Sequence, residues 1–237
     1  MMFEFAILAV VTAFILLFVT TALLEKQLVH EYIPAPPEQA CTGSPYFQAM
    51  NDAARRLGFE PAGVFVQSRG SRIYQARLMM WLSSDRQSLL RVVGGKTMGV
   101  NIRRTMFISF VEPDRVVETA DEFGGADLSG LRDCAVLMNA SLEELHVRHL
   151  DRLAAWSAPK RVFSVHEAMT ACEVMQAMRA AQMEKIGLGK FLNRERTVWR
   201  HTLRGAWLCY FKGFRAQLAE GKAQMHRAKL KRPGDAS

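Results

Sequence analysis

The stretch SLLRVVGGKTMGVNIRRTMFISFVEPDRVVET, Ser88 to Thr119, decides the fold. Apolar and polar residues alternate along it. In RTMFISFV, the side chains of Met106, Ile108 and Phe110 fall on one side of an extended chain, and the residues between them fall on the other. Gly-rich and Pro-Asp turns separate the apolar runs. Strands joined by connections this short are antiparallel neighbours, so the stretch predicts the centre of an antiparallel meander.

The residues before this stretch extend the same pattern. GVFVQ and SRIYQARLMMWLSS are two further β runs, and the polar turn SDRQ joins the second of them to the quoted stretch. Between Pro61 and Thr119 we therefore predict a meander of four or five strands packed with helices. Just upstream, YFQAMNDAARRLGF has the apolar spacing of a short helix, with Gly58 at its C-terminal cap. The predicted fold class is α+β.

Helical patterns follow the meander. EFGGADLSGL predicts a loop, and CAVLMNA is a short apolar run. Two helices then begin with capping boxes, Ser141 with Glu144 and Ser164 with Glu167, and Gly187 and Gly189 end the second helix. The last pattern, from about residue 191 to 230, predicts one long C-terminal helix.

The most apolar part of the chain is FAILAVVTAFILLFVTTALL, Phe5 to Leu24. As a helix, its 20 residues would span about 30 Å, the hydrocarbon thickness of a bilayer. A cleavable signal peptide would need a basic flank and a shorter apolar core, and a buried soluble helix would show a 3.6-residue stripe. We therefore predict a membrane span that includes Phe5, Leu8, Phe14, Leu17 and Leu24.

These features divide the chain into predicted segments. Residues 1–4 are a short flank, 5–24 the membrane span, 25–45 a Pro-rich spacer and 46–157 the α+β domain; 158–230 are C-terminal helices and 231–237 a disordered tail. Lys26 is the one basic residue flanking the span, which favours an inner (cytoplasmic) membrane protein with its domain in the cytoplasm. The scattered Cys41, Cys134, Cys172 and Cys209 are typical of reduced thiols.

The net charge of +8 is concentrated at the C-terminal end. Residues 185–237 hold 13 Lys or Arg against 3 acidic residues, whereas residues 1–184 are nearly neutral. The predicted last helix combines basic residues with an aromatic stripe; it contains Trp199, Arg200, Leu203, Arg204, Trp207, Tyr210, Phe211, Lys212, Phe214 and Arg215.

Three interpretations of this helix remain open. Its stripe packs on the domain's own core, or binds an anionic lipid surface or a protein partner, or binds nucleic acid. The absence of a base-reading motif disfavours nucleic acid, and the arginines exclude a second membrane span.

The sequence contains no recognisable catalytic motif. It has no G-x-S-x-G elbow, Ser-x-x-Lys motif or P-loop, so we predict neither catalytic residues nor a cofactor. Glu143, His146 and His149 have the spacing of a helical metal motif, but no second copy accompanies them. The aspartates Asp85, Asp114 and Asp127 lie in predicted turns, which explains their presence.

Two functions are therefore considered. The first is a membrane-anchored, non-enzymatic interaction or scaffold domain whose partner is the bilayer. The alternative is a membrane-tethered enzyme or small-ligand-binding domain, with Asp85, Asp127, His146 or His149 supplying the polar groups of a pocket between sheet and helices.

Four segments between Ile73 and Leu153 resemble an uncharacterised family of bacterial single-pass membrane proteins. They are WLSSDRQSLLRVVGG, MFISFVEPDRVVET, DLSG and NASLEELHVRHLDRL. The shared features are a Ser-x-Asp-Arg hairpin and a later Asn-Ala-x-x-x-Glu-Leu helix. The resemblance implies the α+β fold, and it implies neither an activity nor any site residues.

Overall fold

The structure, a computed structural model, describes residues 26–29, 32–35, 45–67, 74–97, 100–112, 114–122 and 127–209, with five helical residues between 12 and 20. The chain divides into two units. The sheet unit comprises Leu28–Phe123 and Ser129–Arg179, and the terminal unit comprises Met1–Gln27, Gly124–Leu128 and Ala180–Ser237. The fold is α+β, as predicted.

The helices and strands have the following bounds. The helices are α1 (Pro45–Arg56), α2 (Leu142–Ala154) and α3 (Val165–Lys185), with a further helical segment at 203–209. The strands are β1 (Gln27–Leu28), β2 (Tyr32–Pro34), β3 (Phe59–Gln67), β4 (Tyr74–Ser83), β5 (Leu89–Thr97), β6 (Val100–Val111), β7 (Arg115–Ala120), β8 (Arg132–Val136), β9 (Gly189–Phe191) and β10 (Val198–His201).

The large sheet has the order β2-β3-β4-β5-β6-β7-β8. Strands β3 to β7 are consecutive antiparallel neighbours. The predicted meander of four or five strands is therefore present, and it has five strands within a sheet of seven. In the register of β5 with β6, Leu90 lies opposite Phe107 and Arg91 opposite Met106. Two strands that the sequence did not predict extend the meander, β2 at one edge and β8 at the other.

Strand β8 is parallel to its neighbour β7. The chain leaves β7 at Ala120 and enters β8 at Arg132, which lies opposite Val116 at the start of β7. The connection therefore crosses back to the end of the sheet where β7 began, which is what parallel pairing requires. The sequence predicted only a short apolar run here, because periodicity indicates a strand but not its partner.

Helices cover both faces of the sheet. On the first face, Leu78, Met80 and Ile108 pack against α3 through Ala168, Ala171, Cys172 and Met175. On the second face, Trp81, Leu90 and Phe107 pack against α1 and α2. Met106 and Phe107 therefore point to opposite faces, as their alternation predicted.

Helix α1 is fixed to the second face at two points. The ring of Phe47 lies against Gly94, where no side chain separates it from the strand. The indole Nε1 of Trp81 donates a hydrogen bond to Oδ1 of Asn51 over 3.2 Å. The predicted C-cap is also confirmed, since Gly58 has a φ of +80°.

Both predicted capping boxes are present. The Ser141 hydroxyl accepts from the Glu144 amide over 3.1 Å, and the Glu144 carboxylate accepts from the Ser141 amide over 2.8 Å. Ser164 and Glu167 make the same pair of bonds at the start of α3. Helix α3 belongs to both units, with residues 165–179 in the sheet unit and residues 180–185 in the terminal unit.

The predicted long C-terminal helix is wrong at its start. Residues 189–201 form the antiparallel hairpin of β9 and β10, in which Trp199 lies opposite Phe191. The Asn193 carboxamide closes this hairpin, because its oxygen accepts from the amides of Thr197 and Val198 over 3.1 and 2.9 Å. Helix resumes only at 203–209. The predicted residues Tyr210, Phe211, Lys212, Phe214 and Arg215 and the predicted tail lie outside the described residues.

The predicted spacer contains two strands. Tyr32–Pro34 pairs with β3 at the sheet edge, a position that tolerates a proline because one side of the strand needs no partner. Gln27–Leu28 pairs with β10 in the smaller sheet, whose order is β1-β10-β9. The membrane-span residues Phe5, Leu8, Phe14, Leu17 and Leu24 lie outside the described residues. Within the described part, the structure contains no helix that is both long and apolar enough to cross a bilayer.

Candidate functional site

Asp85 stabilises the turn between β4 and β5 through hydrogen bonds within the turn itself. Its Oδ1 accepts from the Ser83 hydroxyl over 2.6 Å and from the Gln87 amide over 3.0 Å. The Ser83 hydroxyl in turn accepts from the Ser88 amide over 2.9 Å. Arg86, between them, has a positive φ of 60°, which this network stabilises. The prediction of turn chemistry for Asp85 is confirmed.

His149 is fully buried on the second face of the sheet. Its Nε2 lies 3.0 Å from Oγ of Ser109, and its Nδ1 lies 3.2 Å from Oγ1 of Thr119. Ser109 continues the network to Oγ of Ser88 over 2.9 Å. Both ring nitrogens are therefore engaged by hydroxyl groups, which leaves neither for a metal ion.

Burial also decides the charge of His149. Desolvation, together with the positive charge of Arg152, lowers the pKa of His149 from its ordinary value of 6.5 to about 3. The ring is neutral at pH 7, with one nitrogen donating and the other accepting a hydrogen bond. The network contains Ser and His side chains, but both Ser88 and Ser109 are buried, so no hydroxyl is presented to a substrate.

Arg152 anchors the other end of this network. Its Nη1 donates to Oγ1 of Thr119 over 2.8 Å and also to the backbone carbonyl of Glu118. Its Nη2 forms an ion pair with Oδ1 of Asp133 over 2.8 Å. Arg152 thus ties α2 to β7 and β8, a structural role that accounts for its charge.

His146 has a different environment. Its ring packs against Phe59 and Phe107, with centroids 5.3 and 5.1 Å away. Partial burial lowers the pKa of His146, and the carboxylate of Asp85 opposes that shift. Glu143 is exposed on the same helix. Among the described residues, no group of three His, Cys, Asp or Glu side chains is arranged to hold a metal ion, so the predicted candidates Glu143, His146 and His149 do not form a site.

A cluster that the sequence did not predict lies on the first face. Glu118 is buried in β7, and its carboxylate binds Nη2 of Arg104 over 3.0 Å and Nη2 of Arg132 over 2.6 Å. Arg91 adds a third positive charge, since its field acts on Arg104. We call Arg91, Arg104, Arg132 and Glu118 the arginine cluster.

The electrostatics of the arginine cluster follow from burial. Desolvation lowers the pKa of Arg104; the Glu118 carboxylate opposes this shift, and the charges of Arg91 and Arg132 add to it. The sequence signal was an ionisable residue inside an apolar strand, as in LLRVV and VVET. In a one-sided sheet those residues would face water, whereas here α3 covers their face.

A shallow cleft lies between this face and α3. Its volume is about 10 Å3, room for about one water molecule. Polar groups in it come from Arg91, Glu173 and Gln176, and apolar walls come from Val29, Tyr32, Phe65, Leu78, Met80, Met169 and Cys172. The guanidinium of Arg91 lies over the ring of Tyr32, 5.3 Å from its centroid. None of the four predicted pocket residues contributes to this cleft, and Asp127 belongs to the terminal unit.

The terminal unit separates residues that the sequence had grouped on one helix. Trp199 is fully buried in β10 and His201 nearly so, with their rings 5.1 Å apart. Leu203 and Trp207 are instead 65% and 44% exposed on the segment 203–209. Core packing is therefore the correct interpretation for Trp199, but it does not describe Leu203 or Trp207.

No protein-family model, curated protein or solved structure matches the chain, so what the domain does has to follow from its own surfaces and charges.

Proposed function

We propose that the chain is a single-pass membrane protein whose folded part is a non-enzymatic interaction domain held at the bilayer surface. The observation that carries the proposal is the charge-free run of 20 residues from Phe5 to Leu24, which has the length and composition of a membrane span.

The start of the folded part supports this arrangement. Strand β1 begins at Gln27, only three residues after the run ends. The side chain of Gln27 contacts His201, with their Nε2 atoms 3.3 Å apart. A chain that enters a sheet this soon after a membrane span would hold the terminal unit at the headgroup layer.

A non-enzymatic role accounts for the polar side chains of the sheet unit. Asp85 bonds to its own turn, both nitrogens of His149 are engaged, and His146 packs against two phenylalanines. These groups would have supplied acid–base or nucleophilic chemistry, and each has a structural role instead.

Extraction at alkaline pH tests the anchor. The full chain should remain in the membrane pellet after carbonate washing, and its mass should include residues 1–24. Recovery of a shortened, soluble chain would contradict the proposal, because it would identify the run as a removed signal.

The exposed thiol of Cys134 tests the orientation. A variant with Cys41, Cys172 and Cys209 replaced by serine should react with a membrane-impermeant maleimide in inside-out vesicles and not in right-side-out vesicles. The same variant with Cys134→Ser is the control. Labelling in right-side-out vesicles would show that the domain lies on the outer side of the membrane.

A further inference from the structure

We propose that one face of the terminal unit, formed by Arg200, Leu203, Arg204 and Trp207 and called here the lipid face, lies on the surface of an anionic bilayer. This inference rests on the proposed membrane anchor and names the second contact that the anchored domain makes. The occupant is lipid headgroup and the adjoining acyl boundary, not a second protein.

The segment 203–209 has two unlike sides. Gly205 and Ala206 are buried, and a side chain at position 205 would overlap the backbone carbonyl of Leu188, so this side packs inward. Leu203, Arg204 and Trp207 are exposed, and at spacings of one, three and four residues they share the opposite side. A leucine and a tryptophan beside an arginine is the composition of an interfacial helix.

The strand before this segment adds positive charge. Arg200 of β10 lies directly opposite Lys190 of β9, so their side chains leave the same face of the small sheet. Trp199 and His201 leave the other face and are buried. Arg196 is already paired with Glu184 over 2.8 Å, which leaves Lys190, Arg200 and Arg204 as basic groups with no ion pair among the described residues.

Chain length places this face close to the end of the apolar run. Gln27 is three residues after Leu24 in the sequence, a distance of at most about 11 Å. Neighbouring strands lie about 5 Å apart, and two further residues lead from His201 to Leu203. Leu203 is therefore within about 25 Å of Leu24. A face that combines basic, leucine and tryptophan side chains at this distance matches the headgroup layer, where aromatic rings and basic residues accumulate.

Fluorescence quenching in proteoliposomes of the full chain tests the inference. The chain has four tryptophans, of which Trp81 and Trp199 are fully buried, so a lipid-borne quencher reports on Trp156 and Trp207. With brominated lipids in vesicles containing phosphatidylserine, we expect Trp207→Phe to lose most of the quenching and Trp156→Phe to keep it.

Charge is tested separately with a matched pair of variants. Arg200→Gln/Arg204→Gln should reduce the quenching at least twofold at low salt, and 0.5 M salt should reduce the wild type similarly. Arg55→Gln/Arg56→Gln removes the same charge from exposed residues of α1 and should leave the quenching unchanged.

Carbonate washing of the same vesicles distinguishes the two proposals. If the chain stays in the pellet and Trp207→Phe leaves the quenching unchanged, the proposal of a lipid face is wrong and the proposal of a membrane anchor stands. Release from the pellet would overturn the anchor and the lipid face with it.

Discussion

Phe47 and Gly94 approach each other so closely that no side chain fits between them: a Cβ on Gly94 would lie 2.7 Å from Cζ of the Phe47 ring. The contact fixes the first turn of α1 on the middle of the sheet. It depends on a glycine in β5 and an aromatic residue at the helix start, two positions 47 residues apart in the sequence.

Replacing Gly94 by alanine should destabilise the sheet unit by about 1–3 kcal/mol, because the ring of Phe47 has to leave its position. Chemical denaturation of Gly94→Ala against the wild type measures this. Leucine at position 47 makes room for the new methyl group. The double variant Gly94→Ala/Phe47→Leu should therefore lose less free energy of unfolding than the sum of the losses in the two single variants. Strict additivity would mean that the two residues do not press on each other.

The buried His149 predicts how stability depends on pH. Its pKa is about 3 in the folded chain and near 6.5 when unfolded, so between these values only the unfolded state takes up the proton. The stabilising contribution is therefore complete above about pH 6.5 and is lost as the pH falls toward 3, at about 1 kcal/mol per pH unit. The lowered pKa of His146 adds a smaller effect of the same sign.

Denaturation at several pH values between 7 and 4 checks this prediction. His149→Gln should be less stable at pH 7 and should have a shallower dependence on pH. His166→Gln removes an exposed histidine of α3 and should keep the wild-type slope. An unchanged slope in His149→Gln would show that other groups titrate.

The parts of the fold that follow from local pattern were predictable. Alternation assigned Met106 and Phe107 to opposite faces, and the spacing of Ser141 and Glu144 located the start of α2. In each case the signal and its structural cause lie within a few residues of each other. The meander is the sum of such local signals.

The remaining parts of the fold and of the candidate site depend on contacts between segments that are distant in the sequence. Trp199 and Leu203 have helical spacing, yet Trp199 lies in a hairpin, because the Asn193 side chain closes the loop and the strand pairs with β1. Glu118 resembles an outward residue of a half-exposed strand until α3 covers its face. Periodicity does not reveal which layer covers a strand, so the sequence shows ionisable residues within apolar strands but not that they form the arginine cluster.

The arginine cluster should respond strongly to the loss of its one carboxylate. Glu118→Gln leaves Arg104 and Arg132 without the countercharge that both bind, and we expect a loss of about 2–4 kcal/mol in the free energy of unfolding. Glu112→Gln, at an exposed acidic residue just after β6, is the matched control and should change stability by less than about 0.5 kcal/mol.

A second substitution separates charge from packing. In the Glu118→Gln background, Arg104→Met removes one of the unbalanced charges and should restore part of the lost stability. Further destabilisation by Arg104→Met would mean that Arg104 contributes through its packing, and the charge argument would be wrong.

Gly205 predicts a local effect in the terminal unit. Alanine there would overlap the backbone carbonyl of Leu188, which also accepts from the amide of Thr202 over 3.0 Å and therefore cannot move alone. We expect Gly205→Ala to destabilise this unit by about 2 kcal/mol or more. Hydrogen exchange of the Leu192 amide, which bonds to the Val198 carbonyl across the hairpin, measures the effect and should accelerate about 30-fold.

Gly187→Ala is the control for backbone strain alone. Gly187 has a φ of +73° and nothing lies within 4 Å of the added carbon, so this substitution should lower the free energy of unfolding by about 1 kcal/mol. Faster exchange in Gly187→Ala than in Gly205→Ala would contradict the steric explanation, because strain rather than overlap would then limit the unit.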